Sequence, residues 1–257
     1  MQSLVRSLLR LIALILLGFL ALQLYFAARI ALMNVVAPQS TSFQRSEAWR
    51  LATQTGRIDW SQQWVDDQQG LSKNLMRAVI ASEDAGFVEH GGVEWEALEK
   101  AWARNQREEL RVEKRVQAAQ TKKTAKAATA KVREPKVIGG STISQQLAKN
   151  LFLSGERNLA RKGQEFVITL MLETLLSKQR ILEIYLNNVE WGEGVFGAQA
   201  AARHYFHIDA KQLSPAQAAR LAVMLPAPKR FEKRPASPYV VSRAATIEAR
   251  MGAVELP

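Results

Sequence analysis

Residues Leu11 to Ala28 form one apolar run, broken only by Gly18, Gln23 and Tyr25. As a helix this run is about 27 Å long at about 1.5 Å per residue, close to a hydrocarbon core of about 30 Å. Arg6 and Arg10 precede it and Arg29 follows. This pattern predicts one uncleaved transmembrane anchor over 11–32, a short cytoplasmic tail over 1–10, and the bulk of the chain across the membrane. A cleaved signal peptide is the alternative. The run is long for one, and Phe26-Ala27-Ala28 matches a small-x-small cleavage site only loosely.

Beyond the anchor the periodicity is helical. Pro38 and the cluster Ser40-Thr41-Ser42 read as a juxtamembrane linker, so 33–70 is expected to hold the linker and the start of a small lobe. Leu75, Met76, Val79 and Ile80 make one apolar stripe that runs into Glu83. Ile143, Leu147 and Leu151, spaced by four, make the next. Phe166, Leu170 and Glu173, then Ile181, Leu182, Tyr185 and Leu186, continue the pattern. Asn187 to Gly197 holds three glycines and predicts a loop or tight turn. Ser214-Pro215-Ala216-Gln217 is a capping box with proline at the first helical position, and Pro226 and Pro228 stop that helix. Alternating β-branched runs are few, so the fold class is mainly α.

Composition changes this picture in two places. The chain has no cysteine, which excludes a disulfide framework and a Cys-based zinc site. Its net charge of +11 asks for an anionic partner. Lys100 to Lys136 carries twelve basic and four acidic residues, and so supplies most of that charge. Such a segment cannot bury a core. Beyond Trp102 no aromatic side chain interleaves its charges as stacking partners would, so no nucleic acid is expected.

Two polar motifs carry the candidate chemistry: A-S-E-D-A-G-F-V-E-H-G-G from Ala81 and G-G-S-T-I-S-Q-Q-L-A-K-N from Gly139. Glu83 ends an apolar stripe beside Asp84. Desolvation and an adjacent acid both raise a carboxyl pKa, which suits a general base. A structural Glu-Asp pair at a helix junction is the plainer alternative. With Ile143 at zero on a helical wheel, Gln145 and Lys149 fall at about 200° and 240°, away from Leu147 and Leu151. Thr142 joins that face and Gln146 sits at its edge. A helix start rich in glycine favours an anion there; a merely solvated face is the alternative. Arg157, Arg161, Lys162 and Glu165 follow, either as an ordinary helix-face ion pair or as a diphosphate clamp. His204 and His207 have metal-ligand spacing but no third ligand nearby, which favours packing.

These motifs resemble the peptidoglycan glycosyltransferases (glycosyltransferase family 51). The likeness runs through Glu83-Asp84-x-x-Phe87-x-x-His90-x-Gly92, G-G-S-T-I-S-Q-Q-x-x-K-N and Arg161-Lys162-x-x-Glu165. It continues through Lys178-x-x-Ile181-Leu182-Glu183-x-Tyr185-Leu186-Asn187, then Gly192-x-Gly194-x-x-Gly197 and Ala222 to Pro228. No Ser-x-x-Lys occurs, so the chain resembles the monofunctional members of that family, with no penicillin-binding domain expected.

The resemblance implies a lysozyme-like glycosyltransferase domain over 71–231 with a small membrane-proximal lobe. The basic stretch over 106–137 departs from it, being longer than the family usually carries, and is expected to be a mobile insertion; 232–257 is expected to be a C-terminal tail. It implies polymerisation of lipid II into β-1,4-linked glycan at the bacterial inner membrane, with the catalytic domain in the periplasm. Glu83 would be the general base. Glu165 would stabilise the leaving group. Thr142, Gln145, Gln146, Lys149, Asn150, Arg157 and Lys162 would bind substrate, and Asp84, Phe87 and His90 would support the site. No cofactor is required on this reading; a divalent cation, Mg or Mn, near Glu165 is left open. Expected partners are lipid II, the growing glycan, anionic lipid, and divisome or other cell-wall synthesis proteins. Two other readings remain: a lytic transglycosylase or lysozyme-like hydrolase, and a non-catalytic membrane-tethered scaffold.

Overall fold

A computed structural model describes residues 2–66, 70–96, 140–153 and 158–257, together with 99, 103, 106 and 107. The chain divides into two units: one formed by Met1–Gly92 with Ile143–Pro257, the other by Val93–Thr142. The basic insertion expected over 106–137 lies in the second unit and, but for 106 and 107, outside the described residues.

The larger unit is helical, and its helices begin where the sequence can cap them. Helix α1 is Gln2–Leu32, and it is long and apolar enough to cross a membrane. Helix α2, Ser42–Gln54, opens on a reciprocal capping box in which Thr41 and Gln44 satisfy each other's backbone N–H groups. The linker expectation for 33–70 therefore meets a capped helix. Helix α3, Lys73–Glu83, is capped by Ser72 and buries Leu75, Ala78, Val79 and Ile80. Helices α4 (Ile143–Phe152), α5 (Leu159–Leu175, capped by Asn158) and α6 (Lys178–Asn188, capped by Ser177) follow. Helix α6 runs through the core: Ile181, Leu182, Ile184, Tyr185 and Leu186 are all buried.

The loop expected at Asn187–Gly197 instead folds into strands β2 (Glu190–Gly192) and β3 (Val195–Phe196). Strand β3 pairs antiparallel with β2 and parallel with β1, Ser61–Gln62. Glycine makes this close pairing feasible: a Cβ on Gly194 would stand 2.0 Å from the Asp59 carbonyl oxygen, and its φ is +73°.

Helix α7 (Ala198–Phe206) and a short 3-10 turn lead to α8, Pro215–Met224, which begins at the expected capping box of Ser214 and Gln217. After the short α9, Pro228–Phe231, comes α10, Pro238–Met251. It packs on α8 and α3 and buries Val240, Ala244, Ile247 and Met251. The segment expected as a tail thus belongs to the core. Its apolar positions recur at three- and four-residue steps, the same signal that marked the earlier helices.

Candidate functional site

Glu83 is the last residue of α3, where the apolar stripe that built the helix ends. Its carboxylate accepts from Gln146 Nε2 at 3.1 Å and from the Ser82 hydroxyl at 3.3 Å. Burial pushes its pKa up, neighbouring Asp84 adds to the rise, and the Gln146 and Ser82 hydrogen bonds work against it. A carboxylate so placed is more basic than one in water.

Gln146 is itself held. Tyr185 of α6, buried in the core, donates its hydroxyl to Gln146 Oε1 at 2.9 Å. That bond fixes the amide so that its NH2 faces Glu83. The phenol cannot usefully ionise: burial, then the charges of Glu83 and Asp84, raise its pKa well above the ordinary value.

Asp84 joins the two motifs. One carboxylate oxygen accepts the backbone N–H of Ile143, at the start of α4, at 2.9 Å. A side chain 59 residues upstream thereby does the work of an N-cap. The other oxygen lies 2.7 Å from His90 Nε2. His90 Nδ1 accepts from the Gly92 N–H at 3.1 Å, so the ring proton sits on Nε2 and points at Asp84. Phe87 is fully buried, with its ring edge-on to His90 and 4.5 Å from Lys178 Nζ. Lys178 also donates to the His90 carbonyl at 2.6 Å and to Glu173 at 2.9 Å, and Glu173 accepts from the Ser144 hydroxyl. Gly92 has no room for a side chain there: a Cβ would meet Glu173 Cγ at 2.7 Å.

The helical wheel of α4 needs one correction. Gln145 is buried, not on the solvent face, while Lys149 is exposed as expected. Gln146, at the edge of that wheel, is the amide that reaches Glu83. Asn150 is half-buried. Thr142 is buried and belongs to the smaller unit. Arg157 lies outside the described residues.

On the first turns of α5, Glu165 is buried and both its oxygens are taken. Arg161 binds one at 2.7 Å and Lys162 binds the other. The Lys162 side chain remains 47% exposed, so its ammonium can meet a ligand as well as Glu165. Among the described residues, no group of three or more metal-ligating side chains gathers. His204 lies edge-on to Tyr205 and 3.6 Å from Glu232, which is packing as expected.

Residue chemistry alone does not single out Tyr185, Lys178, Glu173 and Ser144. Tyr185 and Lys178 stand inside a motif that carried the resemblance, so a signal was present. Glu173 and Ser144 read as ordinary members of amphipathic helices. Only their meeting across α4, α5 and α6 gives them a role.

Comparison with known proteins points to a family. A family model described as Transglycosylase matches residues 50–114 and 114–252. Proteins named "Biosynthetic peptidoglycan transglycosylase" are similar along nearly the whole chain. The one from Cupriavidus metallidurans is 52% identical over 93% of this chain and 94% of its own. Those from Paraburkholderia xenovorans and Burkholderia thailandensis are 49% and 50% identical, covering 95% and 93% of this chain and 91% and 84% of theirs.

Proposed function

We infer from its membership of the transglycosylase family, to which this chain belongs, that it is a peptidoglycan glycosyltransferase. It polymerises lipid II into β-1,4-linked glycan strands and releases undecaprenyl diphosphate. The observation that carries the assignment of roles is the Tyr185–Gln146–Glu83 relay, which aims an amide donor at a carboxylate whose pKa is raised by burial.

In this reading Glu83 takes the proton from the acceptor's GlcNAc 4-hydroxyl. The oxygen attacks the donor's anomeric carbon, the bond to the diphosphate breaks, and the α-linked donor becomes a β-1,4 linkage. The proton ends on Glu83 and the electron pair leaves with the diphosphate. Negative charge therefore grows at the leaving group, where fixed cations stabilise the transition state. We assign that role to Lys149, Arg157 and Lys162, and further substrate contacts to Thr142, Gln145 and Asn150. Glu165 holds Arg161 and Lys162 in place. A divalent cation at Glu165 fits these residues poorly. Each carboxylate oxygen already faces a positive side chain, and among the described residues no further ligand set is at hand. No step is routed through one.

Helix α1 anchors the enzyme, and Arg6 and Arg10 put its N-terminus in the cytoplasm of the bacterial cell. The catalytic domain then stands on the periplasmic face of the inner membrane, within reach of divisome or other cell-wall synthesis proteins.

The test uses full-length protein with lipid II in detergent. Wild type should form polymer, Glu83→Gln none, and Lys149→Ala polymer only at raised donor concentration. Shortening of pre-made glycan without growth would instead establish the hydrolase. Wild-type inactivity under conditions that polymerise lipid II with a relative would favour the scaffold.

A further inference from the structure

Helix α1 is not a free tether. From Leu4 to Leu22 every residue is exposed all round; from Gln23 onward one face is covered. Phe26, Ile30 and Met33, at helical spacing, are buried in the core of the catalytic unit. Phe26 packs edge-on against Phe152.

The partner is α5, and the two helices run parallel and in step. The Gln23 and Gln164 side-chain amides bond reciprocally, at 3.1 and 2.9 Å. Asn34 donates to the Leu175 carbonyl at 2.9 Å. Both ties join residues 141 positions apart. A level on α1 therefore fixes a level on α5: Gln23 stands beside Gln164, one residue from buried Glu165.

This register conflicts with a hydrocarbon span over 11–32. Gln23 is nine positions before Leu32, or about 14 Å along the axis. A bilayer reaching Leu32 would sink Gln164 that deep, with Glu165 one residue shallower and Arg161 and Lys162 deeper. Buried in apolar surroundings, a pinned ion cluster is costly. A span over Leu4–Leu22 is about 28 Å long, close to the hydrocarbon thickness. Its cost falls on Arg6 and Arg10, which are exposed and can extend their charges toward the cytoplasmic side. The flexible arginines can adjust; the pinned cluster cannot.

We propose that the Gln23–Gln164 amide pair is a positioning device. It sets the depth of the catalytic unit, so that the membrane span is Leu4–Leu22 and the Arg161–Lys162–Glu165 cluster lies at the outer edge of the hydrocarbon. The inference rests on the assignment of lipid II as substrate, because that level is where the diphosphate of a polyprenyl-linked sugar lies. Leu159, 91% exposed at the start of α5, then meets lipid at the boundary.

The chain has no cysteine, so single labels can be placed in full-length protein without other changes. Nitroxides at Leu14→Cys, Leu32→Cys and Leu159→Cys are read in vesicles of phosphatidylethanolamine and phosphatidylglycerol. Relaxation by oxygen reports hydrocarbon, and relaxation by a water-soluble nickel chelate reports the aqueous side. Position 14 should respond to oxygen, position 32 to nickel, and position 159 to both. A label at position 32 that responds to oxygen alone overturns the proposal. This measurement needs no activity, so its outcome is separate from that of the polymerisation assay. In the same vesicles, Gln23→Leu and Gln164→Leu should each raise KM for lipid II roughly three- to tenfold with kcat held. Gln23→Leu in detergent micelles, which impose no bilayer depth, should keep wild-type KM. Wild-type KM in vesicles for both variants, or the same rise in micelles, assigns the pair to packing alone and overturns the positioning role.

Discussion

Replacing Tyr185 by Phe removes one oxygen from a side chain that is 1% exposed and leaves the ring to fill the same space. Two effects follow, and they differ in kind. The lost hydrogen bond to Gln146 Oε1 should cost about 1 kcal/mol of stability. The second effect is on Glu83. Gln146 Nε2 holds the Glu83 carboxylate, and that bond lowers a pKa that burial has raised. A hydrogen bond to a charged group contributes about 1.5–3 kcal/mol. If the freed amide loses a third to a half of that, the Glu83 pKa climbs by roughly half to one pH unit, at about 1.36 kcal/mol per unit. A general base works only when deprotonated, so the acid limb of kcat/KM should move to higher pH by the same amount. The assay is the initial rate of lipid II polymerisation across pH, alongside a thermal melt at each pH. A variant that melts earlier but keeps its acid limb at the wild-type pH would refute the relay and leave Tyr185 a core residue.

Two further predictions concern charge. Glu190 is buried, and burial above all pushes its pKa from the ordinary 4.5 up to about 7, against the pull of Lys229 at 3.3 Å. The folded protein thus holds that proton more tightly than the unfolded chain. The stability it contributes is complete below about pH 4.5 and is lost as pH rises through about 7. Glu190→Gln should therefore stabilise the folded protein at pH 8 by up to about 3 kcal/mol, read as a higher melting temperature, and gain nothing at pH 4.5; an equal gain at both pH values would contradict this origin. Asp84→Ala should destabilise by roughly 2–4 kcal/mol, since it strips acceptors from the Ile143 N–H and from His90 Nε2. Denaturant unfolding measures this, and a loss below about 1 kcal/mol would mean that water replaces the carboxylate.

Much of this site could be read along the chain. Glu83 shows itself because a carboxylate ends an apolar stripe, and the second motif because its polar face lacks the usual run of Glu and Lys. The Thr41, Ser72, Ser177 and Ser214 caps follow from side chains a few residues from the bonds they make. The tail expected over 232–257 is a core helix instead: its apolar stripe is legible, but it lies beyond the last motif that carries the resemblance.

Local order thus came from the sequence alone: one helix able to span a membrane, the capped helices, a chain without cysteine, and two motifs rich in candidate chemistry. These are properties of neighbours, set by a period of 3.6 residues and by side chains that reach one turn. The tertiary structure decided which candidates meet. It turned Gln146 rather than Gln145 toward Glu83, brought Asp84 across 59 residues to the start of α4, and placed Tyr185 behind the amide. It also tied the anchor helix to α5, where Gln23 meets Gln164 across 141 residues. A helical wheel defines a face, but what that face touches depends on how whole helices cross, and that is settled only when their apolar stripes compete for one core.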